Sequence, residues 1–264
     1  MALATPLSWL YAARVDPGWL AIERVRLSLA RLPKAFTGYT IAQLSDLHLG
    51  PYVSSEEVRA AVDAANNLEP NIIVVTGDFV SRLSHGEADM IVDELSRLSA
   101  RDGVFAILGN HDWWTGAEIV SEAVRRAGLT LLRNANVRLS QSGERLYLAG
   151  VDDVWEKHAD LALALSGVPD NAPAILLAHE PDYADTVAGD KRTILQLSGH
   201  SHGGQVRLPF IGALMVPYLA NRYPIGLRWV GGMQVYTNRG VGVVAPPVRF
   251  NCRPEVTLFT LGSG

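Results

Sequence analysis

The chain has 264 residues, 48% hydrophobic and 19% charged, which is enough to bury one substantial core without a second domain. Its formal net charge of −4 gives no overall electrostatic reason to bind a polyanion and argues against nucleic acid as a partner. The single cysteine, Cys252, excludes an intrachain disulfide and a cysteine-rich zinc site.

Residues 1–35 read as an amino-terminal extension of one domain that spans 1–264. The apolar patch from Leu7 to Ala13 lacks a basic flank and is too short to cross a bilayer. The expected location is cytoplasmic, or peripheral to the inner face of the membrane. The runs YTIAQLSD (39–46), NIIVVTGD (71–78), GVFAILGNHD (103–112) and APAILLAHE (172–180) are apolar and stop abruptly in polar or glycine residues, which predicts buried strands. Between the first two, SSEEVRAAVDAANNLEP has a serine cap, early acids and a helical apolar period, and ends at Pro70. EADMIVDELSRLSA (87–100) predicts a second helix. Strand, helix, strand at this spacing is the crossover that parallel neighbours require. Further strands are predicted at 145–151, 191–200, 231–238 and 255–261, with fewer helices between them. The expected fold class is α/β (α+β by some schemes), with two packed mixed β-sheets flanked by helices.

The ends of the predicted strands carry Asp46 and His48 (DLH), Asp78 (GD), Asn110 and His111 (GNHD), His179 (AHE), and His200 and His202 (GHSH). Ligands gather at strand carboxyl ends in open α/β sheets, and five of the seven histidines fall there. The other two, His85 and His158, lie in polar stretches and read as solvated. Imidazole, carboxylate and amide oxygen together suit Mn, Fe or Zn better than Ca or Mg. So many candidate ligands exceed the needs of one tetrahedral ion and match two ions ~3.5–4 Å apart sharing a carboxylate. The glycines flanking GHSH allow a tight turn from which neighbouring histidines reach two ions.

The ordered set DLH, GD, GNHD, a lone histidine and GHSH resembles the five-part signature of the calcineurin-like metallophosphoesterases. The stretch VYTNRGVGVVAPPVRFNCRPEVTLFTL is similar to the bacterial YkuE/YaeI-like phosphodiesterase branch, which is related to UDP-2,3-diacylglucosamine hydrolases. The resemblance implies a four-layer metallophosphoesterase sandwich and a metal-dependent phosphoric ester hydrolase, most simply a phosphodiesterase. It implies two divalent ions, with Mn expected first and Fe or Zn as alternatives. Asp46, His48, Asp78 and His202 would hold one ion. Asp78 would bridge to the other, completed by Asn110, His179 and His200. His111 would be the catalytic residue, assisting the leaving oxygen while a metal-bridged hydroxide attacks in line. A broad phosphomonoesterase, a nuclease and a non-catalytic metal-binding module are the competing readings.

Some residues remain open on this reading. Asp112 either orients its loop or is structural. GDFVSRL departs from the longer second motif of protein phosphatases, which argues against a phosphoprotein substrate. The expected partner is a small phosphodiester or a nucleotide-sugar lipid. Residues 207–232, which include the apolar stretch Leu208 to Trp229, form a candidate cap that either accepts acyl chains, meets a membrane, or is ordinary packing. Trp113, Trp114 and Trp155 either line a pocket or pack its rim. Arg239 and Arg253 either face a phosphate or pair with acids, and Cys252 reads as packing.

Overall fold

The apolar runs of the sequence become the central strands of two sheets that share one interior. The computed structural model describes residues 18–81 and 87–264, so His85 and the patch from Leu7 to Ala13 lie outside the described residues. The first half of the chain builds β1 (Ala21–Leu29), β2 (Thr40–Leu44), α1 (Ser55–Asn67), β3 (Ile72–Thr76), α2 (Glu87–Leu95), β4 (Val104–Ile107), α3 (Asn110–Arg126) and β5 (Thr130–Leu131). The middle adds β6 (Ala135–Gln141), β7 (Glu144–Gly150), α4 (Leu161–Ala164), β8 (Ala174–Leu177), α5 (Ala184–Val187) and β9 (Thr193–Ser198). The end contributes β10 (Arg207–Leu208), β11 (Gly212–Ala213), β12 (Gly226–Val230), β13 (Met233–Thr237) and β14 (Glu255–Ser263).

The first sheet has the order β1-β14-β2-β3-β4-β5 and the second β12-β13-β9-β8-β7-β6. In the first, β2 through β5 run parallel while β14 is antiparallel to β2. In the second, β7, β8, β9 and β13 run parallel, with antiparallel strands at both edges. Neighbouring residues along a strand point to opposite faces. Ile41, Ile72 and Val74 therefore meet Leu148, Ile175 and Leu197 between the sheets. Ala42, Ile73 and Val75 face outward against Val58 and Val62 of α1 and Val120 and Val124 of α3. On the far side Ala149 and Leu176 pack on Ala164 and Val187. Helices, sheet, sheet and helices make four layers. A central strand buried on both faces has to be apolar throughout, which is why these runs are continuous.

Helix α1 starts as its sequence predicts. The Ser54 hydroxyl accepts from the Glu57 amide at 3.3 Å, and the Glu57 carboxylate accepts from the Ser54 amide at 2.8 Å. Three local readings are adjusted. Residues 21–29, counted with the extension, form an edge strand parallel to β14 from Ala21↔Glu255 to Leu29↔Ser263. The third predicted strand stops at Ile107, and Asn110 opens α3. The apolar segment 207–232 divides into the β10–β11 hairpin and β12, an edge of the second sheet. No described helix is long and apolar enough to cross a membrane.

Several polar residues prove to be scaffolding. Exposed His158 stacks on Trp113 at 3.7 Å, and the Trp113 indole donates to Asp152 at 2.8 Å. Arg239 pairs with Glu23 and Glu255. Arg253 donates to the Trp19 and Leu20 carbonyls and lies 4.1 Å over the Trp19 ring. Buried Cys252 donates to the His202 carbonyl. Fully buried Arg249 donates to the carbonyls of Cys252, Arg239, Gly240 and Gly242. The loop it gathers lies against Asp46, because Val241 and Gly242 donate to the Ser45 and Asp46 carbonyls. Replacing Arg249 by Leu strands these acceptors away from water, at about 1–3 kcal/mol for each left unpaired. The Arg249→Leu melting temperature is expected to fall by about 5 °C or more. An unchanged melt in calorimetry would show that the loop does not depend on this guanidinium.

Candidate metal centre

The site lies where the parallel strands of both sheets end. Asp46 and His48 follow β2, Asp78 follows β3, Asn110 and His111 open α3 after β4, His179 follows β8, and His200 and His202 follow β9. All eight sequence-derived candidates come together there, and Asp46, His48, Asp78, Asn110, His179, His200 and His202 are buried. Asp46, His48, Asp78, His200 and His202 have φ of 49°, 49°, 57°, 68° and 50°. Left-handed backbone is costly for residues with a Cβ and clusters at functional sites. Here it turns each side chain back across its strand end toward a common centre. Glycine supplies the clearance. A Cβ on Gly199 would overlap Ser45 Oγ and Asp46 Oδ2, and one on Gly109 would overlap Asp78 Oδ1.

Two three-residue groups, Asp46 with His48 and His202, and Asp46 with Asp78 and His179, place ligand atoms within 4.8 Å of one another. His48 Nε2 and His202 Nε2 are 3.0 Å apart. Asp46 Oδ1 lies 3.4 Å from His202 Nε2 and 4.0 Å from both His48 Nε2 and His179 Nε2. Asp46 belongs to both groups, and Asp78 Oδ2 of the second also reaches the first, 3.4 Å from His48 Nε2 and 3.2 Å from His179 Nε2. His111 forms a third such group with His48 and Asp78.

Backbone carbonyls assign the tautomers. His179 Nδ1 meets the Thr76 carbonyl at 2.7 Å, which keeps a proton on Nδ1 and leaves Nε2, facing Asp78, as the atom a cation would claim on displacing its proton. His200 is the reverse. Its Nε2 meets the Tyr218 carbonyl at 2.7 Å, so Nδ1 is the free donor. His111 Nδ1 lies 3.2 Å from the Ser81 carbonyl, and its ring sits edge-on to His48 at 4.7 Å and against Trp114 at 4.8 Å. The His200 amide donates to both oxygens of Asp46, and the His111 amide donates to Asp78 Oδ1 at 2.9 Å.

Burial keeps three imidazoles neutral. It pulls His48 down to about 3 and lowers His200 and His202 as well. Burial alone would also raise Asp78, but His179, His111 and His48 hold it well below the usual carboxylate range. Burial would lower His179, yet Asp78 and Asp46 hold it well above the usual imidazole value. Asp46 is pushed up to about 6 by burial, opposed by His179 and reinforced by Asp78. Among the described residues, buried Asn110 Oδ1 and His202 Nδ1 have no hydrogen-bond partner. Two orphaned donors, neutral imidazoles and clustered carboxylates are the donor set that a divalent cation satisfies, so the residues fit a metal.

Asp112 does not reach the cluster. Its Oδ2 accepts from the Asp78 and Gly109 amides and its Oδ1 from the Phe79 amide, each at 2.9 Å. Burial and Asp78 push its carboxyl up to about 8, while the amides favour the ionised form. Asp112 thus ties the GD loop to the GNHD loop. Sequence reading had no handle on the carbonyls of Thr76, Ser81 and Tyr218, because every residue carries one.

The cluster floors a cavity of about 370 Å³ whose rim includes Trp114 and Trp155. Trp155 stands edge-on to Trp114 and Tyr218, each at 5.4 Å.

A two-sheet, four-layer sandwich with aspartates and histidines converging at its strand ends has the architecture of a metal-dependent phosphoesterase. Residues 39–204 match the calcineurin-like phosphoesterase family, and the chain belongs to it. It is 34% identical to the uncharacterized metallophosphoesterase YkuE of Bacillus subtilis (strain 168), over 96% of this chain and 89% of that one. It is 33% identical to phosphodiesterase YaeI of Escherichia coli (strain K12), over 98% and 94%. It is 28% identical to UDP-2,3-diacylglucosamine pyrophosphatase LpxG of Chlamydia muridarum (strain MoPn / Nigg), over 97% and 93%. Family membership and the Asp/His clusters fit a dinuclear, metal-dependent phosphoric ester hydrolase.

Two measurements check the site. At pH 5 Asp46 and His179 both hold protons that a cation must displace, and Asp46 loses its own as pH passes about 6. Mn affinity is therefore expected to rise from pH 5 to pH 8, with calorimetry in buffers of different ionisation enthalpy reporting proton release. A pH-independent affinity would contradict these protonation states. Asp112→Asn turns an NH₂ toward amide donors and is expected to weaken Mn binding by about 10–100-fold. Wild-type affinity in that variant would reduce Asp112 to a bystander.

Proposed function

We propose that this chain is a dinuclear-metal phosphodiesterase acting on small phosphodiester or pyrophosphate bonds. Asp46, His48, Asp78 and His202 would hold one ion, and Asp78 would be shared with a second held by Asn110, His179 and His200. The observation that carries this reading is the position of Asp78 Oδ2, within 3.4 Å of a histidine from each group. Mn is the expected metal, with Fe or Zn as alternatives for the same nitrogen and oxygen donors. When bound, such ions polarise phosphoryl oxygens and make water acidic enough to supply a nucleophile near neutral pH.

The protein's own part is positioning and proton transfer. His111 lines the cavity beside Asp78 and Asn110. Its Nδ1 is committed to the Ser81 carbonyl, leaving Nε2 to carry a proton to the departing oxygen. Trp114 limits the movement of this ring. Asp46 and Asp78 are locked by backbone amides, so little reorganisation accompanies the reaction.

For the natural substrate we propose a phosphodiester or nucleotide-sugar lipid pyrophosphate, in line with the names of two relatives. Exposed Phe210, Ile211, Leu214 and Met215 around the β10–β11 hairpin support peripheral contact with a membrane, consistent with a protein at its cytoplasmic face. The whole chain, 1–264, is taken as one domain.

Mn-refilled protein is expected to hydrolyse bis(p-nitrophenyl) phosphate faster than p-nitrophenyl phosphate, and chelated protein neither. His111→Ala is expected to lower kcat by about 10²–10⁴ while its Mn content stays at the wild-type level. Monoester preference would point to a phosphomonoesterase, and undiminished turnover in His111→Ala would remove this residue from the chemistry.

A further inference from the structure

The cavity over the metal centre is lopsided. One side holds the candidate ligands and His111. The other is a wall built from Leu214, Met215 and Val216 after β11 and from Val244, Pro246 and Val248 in the carboxyl-terminal loop. Among the described residues no lysine or arginine lines the cavity. Several of its polar groups outside the metal cluster are turned to internal partners. Gln205 donates to the Val244 and Pro246 carbonyls and accepts from the Val244 amide. Ser201 Oγ accepts from the Gly203 amide, and the Trp114 indole donates to Glu156. The Leu214 and Val248 amides are spent on Val206 and Pro246. Of the described cations in neighbouring segments, Arg207 is engaged with the Gly203 carbonyl and Arg222 with Asp185.

A ligand on this wall therefore finds apolar surface and little else. Among the described residues a second phosphate there finds no counter-charge, and a nucleoside would leave its base and sugar hydroxyls short of partners, which costs affinity heavily. Conversely, Leu214 and Met215 are 59% and 80% exposed, a contiguous apolar surface at the mouth of a reactive site. The volume of about 370 Å³ falls within the range of small-molecule sites.

We infer that this wall is the subsite for one ester substituent of the substrate, that the substituent is an uncharged aliphatic chain, and that Leu214, Met215, Val244 and Val248 set the preference for it. The inference rests on the phosphodiesterase reading above and narrows it. Among the proposed substrates it favours a monoanionic diester with an alkyl arm on this side over a nucleotide placed there.

The test uses Mn-loaded full-length protein and two readouts. Calorimetry with dimethyl, dibutyl and dihexyl phosphate reports binding, and methyl, butyl and hexyl p-nitrophenyl phosphates report turnover. Affinity and kcat/KM are expected to climb with chain length by about two- to fourfold per methylene while the chain still gains contact with the wall. Leu214→Ser and Met215→Ser alter exposed side chains, so both should melt with the wild type. They should keep its affinity for dimethyl phosphate while flattening the chain-length series. Thymidine 5′-(p-nitrophenyl phosphate) should react more slowly than the butyl ester. A flat series in the wild type, a series untouched by both serine variants, or preference for the thymidine ester would overturn the inference. A steep binding series without turnover of any ester would uphold the subsite and defeat the phosphodiesterase reading instead.

Discussion

Two carboxylates held out of water, Asp46 and Asp78, constrain everything around them. An ionised carboxylate in a protein interior costs several kcal/mol unless opposite charge and hydrogen bonds compensate. Amides from His200 and His111 supply part of that compensation. The remainder has to come from cations; His179, which the two carboxylates keep protonated, is one, and among the described residues no arginine or lysine lines the adjoining cavity. The imidazoles around the carboxylates are mostly kept neutral by burial, so they offer lone pairs more than charge. A pair of divalent ions answers both needs at once, and this is the physical basis of the proposed centre.

The scaffold serves that constraint from several directions. Parallel strands of two sheets end at the same level, bringing side chains from distant parts of the sequence within a few ångströms. Left-handed backbone at five of the eight residues aims them inward. Asp112 clamps two motif loops from beneath. Arg249 gathers the carboxyl-terminal loop so that its amides hold the backbone of Ser45 and Asp46. Each device fixes backbone more than side chain. The imidazole tautomers likewise follow from carbonyl positions. An order of magnitude in metal affinity can therefore depend on residues that never touch a metal.

The central strands and the site residues were legible because their physics is local. A strand buried on both faces is a continuous apolar run, and the change from apolar to Asp, Asn, His and Gly marks the end at which ligands collect. The edges were harder to read. Strand β1 alternates buried and exposed residues, and β6 is mostly polar or half-exposed, so neither stands out as an apolar run. The start of α3 was hidden because GNHD continues directly from the apolar residues of β4. The apolar content of 207–232 suggested one cap, whereas hydrogen bonding assigns β12 to the second sheet and leaves the hairpin outside it. The role of Asp112 lay beyond sequence reading, since a buried carboxylate that accepts backbone amides looks, as letters, like one that binds a metal.

The central claim is that one carboxylate, Asp78, joins two ions in a single cluster. Electron paramagnetic resonance of Mn-loaded protein addresses this most directly, with Asp78→Asn and Asn110→Ala measured alongside. The account predicts two Mn per chain and the complex spectrum of an exchange-coupled Mn(II) pair, replaced in both variants by signals of a weakened or single-ion site. A simple six-line spectrum from isolated Mn(II) in the fully loaded wild type, or saturation at one ion per chain, would contradict it.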